Sequence, residues 1–339
     1  MQVKRNWAYV LSFLLIFDYG LQAPRALQAD STATAHASAD TAAIELPLDY
    51  VDQHLYTRLD GTGSGPLTFL VDTGSEHTGI SSAIAKQMEL PKSFWKKAIS
   101  VNGYGNNSKD REYGEVPLFL RSAQSKVFSG SARVLDFEDF GKQLGHPLDG
   151  ILGWDFFQLW CSTLDVARKQ LTLRPVSDCA MRADAHVVKS KWSKQGLRLR
   201  SVISFQNGKS ANALVHFDTG ADATLQLNTQ FRAMAGLGER GPADSEAKRW
   251  GVNGEYIADI VPVGSIKFDG DEFQVVIGGK TTILFVRKGS VSRPRWWIHG
   301  FGEARINRDG AVGNAIIEHL VWTLDPATRQ IYATTAATD

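Results

Sequence analysis

The chain has 339 residues, enough for about two domains of ordinary size, and its 43% hydrophobic and 22% charged residues are typical of a soluble globular protein. Its 37 lysines and arginines nearly balance 36 aspartates and glutamates, leaving a net charge of +1, which argues against a nucleic-acid binder or a protein that docks on membranes through basic residues. The 2 cysteines and 8 histidines form no HExxH or CxxC motif, so we expect no metal site and no cofactor.

The first thirty residues follow the order of a cleavable export signal. Two basic residues precede an apolar run over residues 8–17, and small residues follow up to Ala29. This run is too short to span a bilayer, which requires ~20 residues. We expect a signal peptide over 1–29, a disordered polar leader over 30–43, and a secreted or periplasmic mature chain without stable membrane insertion. An uncleaved N-terminal anchor is the alternative.

The sequence repeats itself. Three pairs of blocks recur in the same order: Asp-Thr-Gly at 72–74 and 218–220, Val-Asn-Gly at 101–103 and 252–254, and the gap-free alignment of 153–174 with 313–334. The offsets grow along the chain, as expected for a duplicated unit with loop insertions in the second copy. The pattern predicts one lobe at 44–176 and a second at 190–336.

Each copy is mostly β in pattern. Strand-like runs occupy 67–71 and 197–205, a hairpin turn is expected at Asn207-Gly208, and a further hairpin at 163–173. Helical patterns are confined to short segments at 81–90 and 154–160. The predicted fold is therefore mainly β, with two similar β-barrel-like lobes related by a pseudo-twofold axis.

The repeated aspartates carry the most chemistry. Asp72 and Asp218 each follow an apolar strand, where a carboxylate is costly unless it is paired or used. A pseudo-twofold axis would bring the two Asp-Thr-Gly loops together. Two carboxylates at such a distance cannot both ionise and share one proton, an effect for which aspartic proteases are the standard example. One carboxylate can then act as a base and its partner as an acid.

These motifs resemble those of the aspartic peptidases, nearer to the retropepsin-like bacterial type than to pepsin. The resemblance rests on Asp-Thr-Gly-Ser at 72–75, Asp-Thr-Gly-Ala at 218–221, and the later apolar-apolar-Gly segments 151–153 and 311–313. It implies an acid-protease fold in which each later segment packs against the Asp loop of its own lobe. It also implies hydrolysis of a peptide or protein substrate by a monomer, because one chain supplies both halves of a site that retropepsins build from two.

The resemblance assigns roles residue by residue. The catalytic pair is Asp72 and Asp218, and the loops that support them contain Thr73, Gly74, Ser75, Thr219, Gly220 and Ala221. A substrate-covering flap is expected in each lobe, and its candidate residues are Gly103, Tyr104, Gly105, Gly251, Asn253 and Gly254. Two ordinary surface turns are the alternative to these flaps.

Five residues lead to separate expectations. Ser75 is able to donate a hydrogen bond to the Asp72 carboxylate, whereas Ala221 offers Asp218 no side-chain equivalent, so Asp218 is expected to hold the shared proton. His216 lies two residues before Asp218, either to tune the dyad or, as we expect, as a hydrogen-bonded structural residue. In an exported protein Cys161 and Cys179 are expected to form a disulfide; a buried free Cys161 is the alternative.

Three functions compete at this point. An active endopeptidase is favoured because both aspartates are present. A non-catalytic peptide- or glycan-binding module on the same fold is the alternative. A phosphoryl-transfer protein ranks last, because the chain has no lysine-bearing phosphate loop; the glycines at 61–65 are expected in a hairpin loop instead.

Overall fold

The computed structural model describes residues 43–61, 65–88, 95–99, 103–104, 111–136, 138–222, 224–238, 245–251, 254–268, 274–275, 282–286, 291–292 and 309–335. The chain divides into two compact units, Met1–Asp40 and Thr41–Asp339, and all described residues belong to the second. The predicted signal peptide and all but the last residue of the predicted leader lie outside the described residues.

Strands dominate this part of the chain, and no helix in it exceeds seven residues. The strands are β1 (Ile44–Pro47), β2 (Asp49–Val51), β3 (His54–Gly61), β4 (Gly65–Val71), β5 (Gly79–Ser81), β6 (Trp95–Ile99), β7 (Gly103–Tyr104), β8 (Arg111–Ser122), β9 (Ser125–Leu135), β10 (Gly150–Leu152), β11 (Cys161–Asp165), β12 (Gln170–Arg174), β13 (His186–Val188), β14 (Ser190–Ser193), β15 (Gly196–Phe205), β16 (Ser210–Phe217), β17 (Leu225–Asn228), β18 (Ser245–Gly251), β19 (Gly254–Phe268), β20 (Gln274–Val275), β21 (Thr282–Val286), β22 (Val291–Ser292), β23 (Gly310–Val312), β24 (Leu320–Asp325) and β25 (Gln330–Thr335). The helices are α1 (Ser82–Gln87), α2 (Glu138–Leu144), α3 (Trp154–Phe157), α4 (Thr229–Met234) and α5 (Asn314–Ile317), with a 3₁₀ turn at Val176–Asp178.

Two large sheets have the same strand order. One runs β2-β3-β4-β10-β5-β9-β8-β6, and the other runs β14-β15-β16-β23-β17-β21-β19-β18, with β20 attached to β19. Corresponding pairs also agree in direction: β4–β10 and β16–β23 are parallel, as are β5–β9 and β17–β21. Each sheet curls back on itself through a further pairing, β3–β8 in one and β15–β19 in the other. The fold is therefore mainly β with two similar lobes, as predicted; we call the part built on the first sheet the first lobe and the other the second lobe.

A six-stranded sheet joins the lobes. Its order is β1-β12-β11-β24-β25-β13, so strands from both ends of the described chain meet in it. At its centre Thr163 of β11 faces Thr323 of β24, and their hydroxyl oxygens are 3.1 Å apart. Because these threonines are equivalent in the sequence repeat, the pseudo-twofold axis passes between them.

The strands that lead to the aspartates are buried on both faces at their ends. Phe69, Leu70 and Val71 close β4, and Val215, His216 and Phe217 close β16; all six side chains are buried. Each strand end has a parallel neighbour and an antiparallel neighbour, which explains a continuous buried run in place of alternation. The chain therefore leaves each strand directly into the Asp-Thr-Gly loop with little freedom to shift.

Most of the smaller predicted elements are present. Helices α1 and α3 lie within the two predicted helical segments but end earlier, and β11–β12 forms the predicted hairpin. Strands β15 and β16 meet at Asn207-Gly208, where Gly208 has a φ of +78°. The glycines at 61 and 65 pair with each other at the end of the β3–β4 hairpin, which confirms a hairpin loop there. No helix in the described part of the chain is long and apolar enough to cross a membrane.

The predicted disulfide is also present. Cys161, at the start of β11, is bonded to Cys179, which follows the 3₁₀ turn, and their Cα atoms are 5.4 Å apart. The bond ties the six-stranded sheet to the segment that leads from the first lobe to the second.

Candidate active site

Asp72 and Asp218 occupy equivalent positions directly after β4 and β16. The backbone N–H of Asp72 donates to the carbonyl of Leu152 in β10 at 3.0 Å, and that of Asp218 donates to the carbonyl of Val312 in β23 at 3.0 Å. Each Asp loop is therefore held by the apolar-apolar-Gly segment of its own lobe, the packing that the resemblance implied.

A second set of contacts crosses between the lobes. The hydroxyl of Thr73 donates to the carbonyl of Phe217 at 2.7 Å, and the hydroxyl of Thr219 donates to the carbonyl of Val71 at 2.8 Å. Both threonines are buried, so these bonds are shielded from water. They connect the end of each Asp-bearing strand to the loop of the other lobe.

The glycines of the two motifs allow the carboxyl groups to approach. A Cβ atom on Gly74 would lie 2.3 Å from Oδ1 of Asp218, and one on Gly220 would lie 2.4 Å from Cγ of Asp72. Real Cβ atoms do not come this close to another group, so any other residue would displace the opposite carboxyl. The side chains of Asp72 and Asp218 are hydrogen-bonded to each other in the space this leaves.

Burial and mutual repulsion set the protonation of this pair. Burial raises the pKa of Asp72, and hydrogen bonds from the backbone N–H groups of Ser75 and Gly74 oppose the rise. Burial also raises the pKa of Asp218, well above its usual range, and the nearby charge of Asp72 raises it further, while the Gly220 N–H opposes the rise. Two buried carboxyls this close share one proton, and the hydrogen bonds from the Gly74 and Ser75 N–H groups favour the ionised form at Asp72.

This arrangement provides a base and an acid at one point. An ionised Asp72 can accept a proton from a water molecule, and a protonated Asp218 can donate one to a carbonyl oxygen. Within the described residues, no cluster of three or more His, Cys, Asp or Glu side chains could hold a metal ion.

The reason we expected for the difference between the two aspartates is wrong. The hydroxyl of Ser75 donates to the carbonyl of His77 at 2.9 Å, and it is the backbone N–H of Ser75 that donates to Asp72. The backbone N–H of Ala221 likewise opposes the rise in the pKa of Asp218, so a donor at this position does not require a serine side chain. The turn after Gly74 brings the His77 carbonyl within reach of the hydroxyl, and sequence alone does not reveal this competing acceptor.

The prediction for His216 needs correction as well. Its side chain is buried, and its Nε2 has no hydrogen-bond partner among the described residues, so the hydrogen bond we expected is missing at this nitrogen. Burial, followed by the charge of Arg198, lowers the pKa of His216 to about 4. Gly196 makes room for the ring, since a Cβ there would lie 2.0 Å from Nε2.

The flap candidates lie at two hairpins, one in each lobe. Gly103 and Tyr104 form β7, between the paired strands β6 and β8, and β7 pairs with β22 of the second lobe. Gly251 and Gly254 face each other at the end of the β18–β19 hairpin, which lies beside β7. The remaining two candidates, Gly105 and Asn253, lie outside the described residues.

Sequence reasoning missed two residues near the dyad. His54, at the start of β3, lies close enough for its charge to lower the pKa of Asp72. Asn314, directly after Gly313, donates a hydrogen bond to the Thr219 carbonyl inside the Asp218 loop. The only available signal for Asn314 was its position after the second apolar-apolar-Gly segment, where the first copy has Trp154.

Comparison with known proteins adds the following. A search of curated proteins found no match. A crystal structure of basic 7S globulin from soybean is similar at 12% sequence identity and a TM-score of 0.47, over 87% of this chain and 95% of that one. Residues 55–156, which include Asp72-Thr73-Gly74 and the Gly153 segment, match the family model described as aspartyl protease.

Proposed function

We propose that this protein is an exported aspartic endopeptidase of the retropepsin-like type, in which Asp72 and Asp218 activate a water molecule to hydrolyse peptide bonds. The main support is the hydrogen-bonded pair of carboxyls with unequal proton affinity, one from each lobe. The match of residues 55–156 to the aspartyl protease family model supports the reaction class independently of the second lobe.

Both carboxyls transfer protons in the proposed reaction. Ionised Asp72 takes a proton from the water as its oxygen attacks the scissile carbonyl carbon, and protonated Asp218 gives its proton to the carbonyl oxygen. As the C–N bond of the tetrahedral species breaks, Asp72 returns its proton to the leaving nitrogen and one hydroxyl gives its proton to Asp218, so a carboxylic acid and an amine leave. Because the proton balance closes within the pair, the residues supply both the base and the acid without a covalent enzyme intermediate.

The substrate is a peptide or protein in an extended conformation. Two hairpins cover it as flaps: the β6–β8 hairpin, which contains β7, and the β18–β19 hairpin. A single chain supplies both aspartates, so we propose that the enzyme acts as a monomer and that its two lobes arose by internal duplication, as the common strand order of their sheets suggests. Export rests on the pattern over residues 1–29, and the Cys161–Cys179 disulfide is compatible with it. Intact Met1 in native material would argue against signal cleavage.

The proposal is tested by digestion of a peptide library with the purified mature protein. Mass spectrometry should find new termini, and a double Asp72→Asn/Asp218→Asn variant, which keeps both side-chain shapes, should produce none. Peptides that bind to the wild type without cleavage under any pH between 3 and 8 would instead identify a non-catalytic binding module on this fold.

A further inference from the structure

Asn314 is fully buried and bridges the two lobes. It is the first residue of α5, and its side-chain nitrogen donates to two backbone carbonyls, Thr219 in its own lobe and Gln53 in the first lobe, both at 2.7 Å. Gln53 lies in the turn between β2 and β3, where its φ of +62° is unusual for a residue other than glycine. A strained turn therefore presents this carbonyl to Asn314.

The bond to Thr219 acts on the peptide group that holds Asp218. The Thr219 carbonyl and the Gly220 N–H belong to one planar peptide unit, so fixing the first fixes the direction of the second. The Gly220 N–H donates to Oδ1 of Asp218 at 3.0 Å. A hydrogen bond accepted by the carbonyl also polarises the N–H and strengthens the bond it donates.

At the corresponding position of the first lobe, the side chain donates no hydrogen bond to the Asp72 loop. Trp154 aligns with Asn314 in the sequence repeat, and its indole N–H donates across the lobes to the carbonyl of Ser193 at 2.9 Å. An indole has a single N–H, whereas an amide has two. Both residues thus connect the lobes, but Asn314 has a second N–H, and that one is directed to the catalytic loop.

The side-chain oxygen of Asn314, Oδ1, is evidence against a purely structural role. Its Oδ1 is buried with no hydrogen-bond partner among the described residues. An unpaired buried oxygen is costly, and an indole at the equivalent place connects the lobes without one. The two hydrogen bonds that the amide donates, to Gln53 and to Thr219, therefore explain why an asparagine is present here.

We propose that Asn314 is a positioning residue for Asp218: it orients the Thr219–Gly220 peptide so that the Gly220 N–H points at the Asp218 carboxyl. The inference rests on the proposed peptidase function. Burial and the charge of Asp72 make Asp218 hold its proton tightly, and the Gly220 N–H opposes them. Asn314 thereby keeps this proton transferable to substrate. Among the described residues, the titratable groups that act on the dyad are its two carboxyls and His54.

The test compares Asn314→Leu with Trp154→Phe, which removes a cross-lobe hydrogen bond that does not reach an Asp loop. For each variant, kcat and KM are measured against pH on a peptide cleaved by the wild type. In Asn314→Leu we expect kcat to fall roughly five- to tenfold, as for loss of one ordinary buried hydrogen bond, with KM unchanged. A weaker N–H bond to ionised Asp218 raises its pKa, so the upper limb of the profile should move to higher pH by about half a unit. In Trp154→Phe, the upper limb of the pH profile should stay at the wild-type pH.

Each outcome decides the matter. An upper limb that stays in place in Asn314→Leu, or one that moves equally in Trp154→Phe, overturns the inference while the peptidase function stands. If Asn314→Leu does not fold, Asn314→Ala, which also removes both N–H donors, is judged by the same criterion. If the wild type shows no cleavage that depends on Asp72 and Asp218, the proposed function fails and the inference fails with it.

Discussion

The hydroxyl groups of Thr73 and Thr219 each accept a hydrogen bond from the backbone N–H of the other residue, at 3.1 and 3.0 Å. With the bonds that the same hydroxyls donate to the opposite strand ends, each threonine is connected twice to the other lobe. The distance between the Asp72 and Asp218 carboxyls is thus fixed by bonds that do not involve the carboxyls themselves.

Thr219→Val should therefore weaken the whole fold. The variant keeps the side-chain shape but leaves the Thr73 N–H and the Val71 carbonyl buried without partners, which should cost about 2–4 kcal/mol of unfolding free energy. Urea denaturation measures this loss. The control is Thr163→Val, which removes the half-buried hydroxyl contact to Thr323 in the six-stranded sheet and should cost about 1 kcal/mol. Equal losses in the two variants would contradict the special role of the loop threonines.

Gly220→Ala should lower activity on the order of a hundredfold by displacing Asp72. The new methyl group would overlap the Asp72 carboxyl, and a displacement of about 1 Å costs on the order of a hundredfold in rate. Peptide cleavage is the measurement. Gly141→Ala is the matched control, because a Cβ there would lie 3.4 Å from Leu148 and 3.8 Å from the His146 carbonyl oxygen, and alanine favours a helix. Wild-type cleavage by Gly220→Ala would show that the carboxyls are not as close as described.

His216→Leu should make the protein less sensitive to acid. The pKa of His216 is lowered to about 4 in the folded state, so the unfolded chain binds its proton first as pH falls. The stability contributed above pH 6.5 is lost as pH falls towards 4, by roughly 3 kcal/mol in total, and leucine, the residue at the equivalent position 70, removes this dependence. Thermal or urea midpoints between pH 4 and 7 measure it.

The exposed His319 provides the control for this experiment. His319→Leu should leave the pH dependence of stability close to that of the wild type. If His216→Leu loses as much stability as the wild type between pH 6.5 and 4, the buried histidine is not the acid-sensitive group.

Removing the disulfide should destabilise the fold. Its cysteines are 18 positions apart, and a closed loop of that size is worth about 3 kcal/mol. The Cys161→Ala/Cys179→Ala variant should lose that much in urea denaturation, and a reducing agent should lower the stability of the wild type but not of the variant. Two free thiols in the unreduced native protein would rule the bond out.

The repeats allowed the fold to be predicted to a large extent. Asp72 and Asp218 could be paired because the same motif occurs twice, and two copies of one unit related by a twofold axis place equivalent loops together. Strands β11 and β24 meet at Thr163 and Thr323 for the same reason. The catalytic roles of these residues stay predictions until activity is measured.

The contacts that distinguish the two lobes could not be predicted. Asn314 reaches carbonyls that are 95 and 261 positions away, and no local sequence pattern encodes a hydrogen bond to a distant backbone atom. The Ser75 hydroxyl donates to the His77 carbonyl, a contact that depends on the shape of the turn after Gly74. We expected a hydrogen bond at His216 because buried polar side chains usually have one. The unpartnered Nε2 depends on how Gly196 packs against the ring, and the sequence does not show this packing.

The most direct test of the account is the rate of peptide cleavage by two single variants, Asp72→Asn and Asp218→Asn, measured at the pH optimum of the wild type. Asparagine preserves the shape of each side chain but cannot carry the shared proton, so either change removes the acid–base pair. We predict that both variants fold and that each loses at least about a hundredfold in kcat/KM. Retention of more than a few per cent of the activity in either variant would contradict a single catalytic centre shared by Asp72 and Asp218.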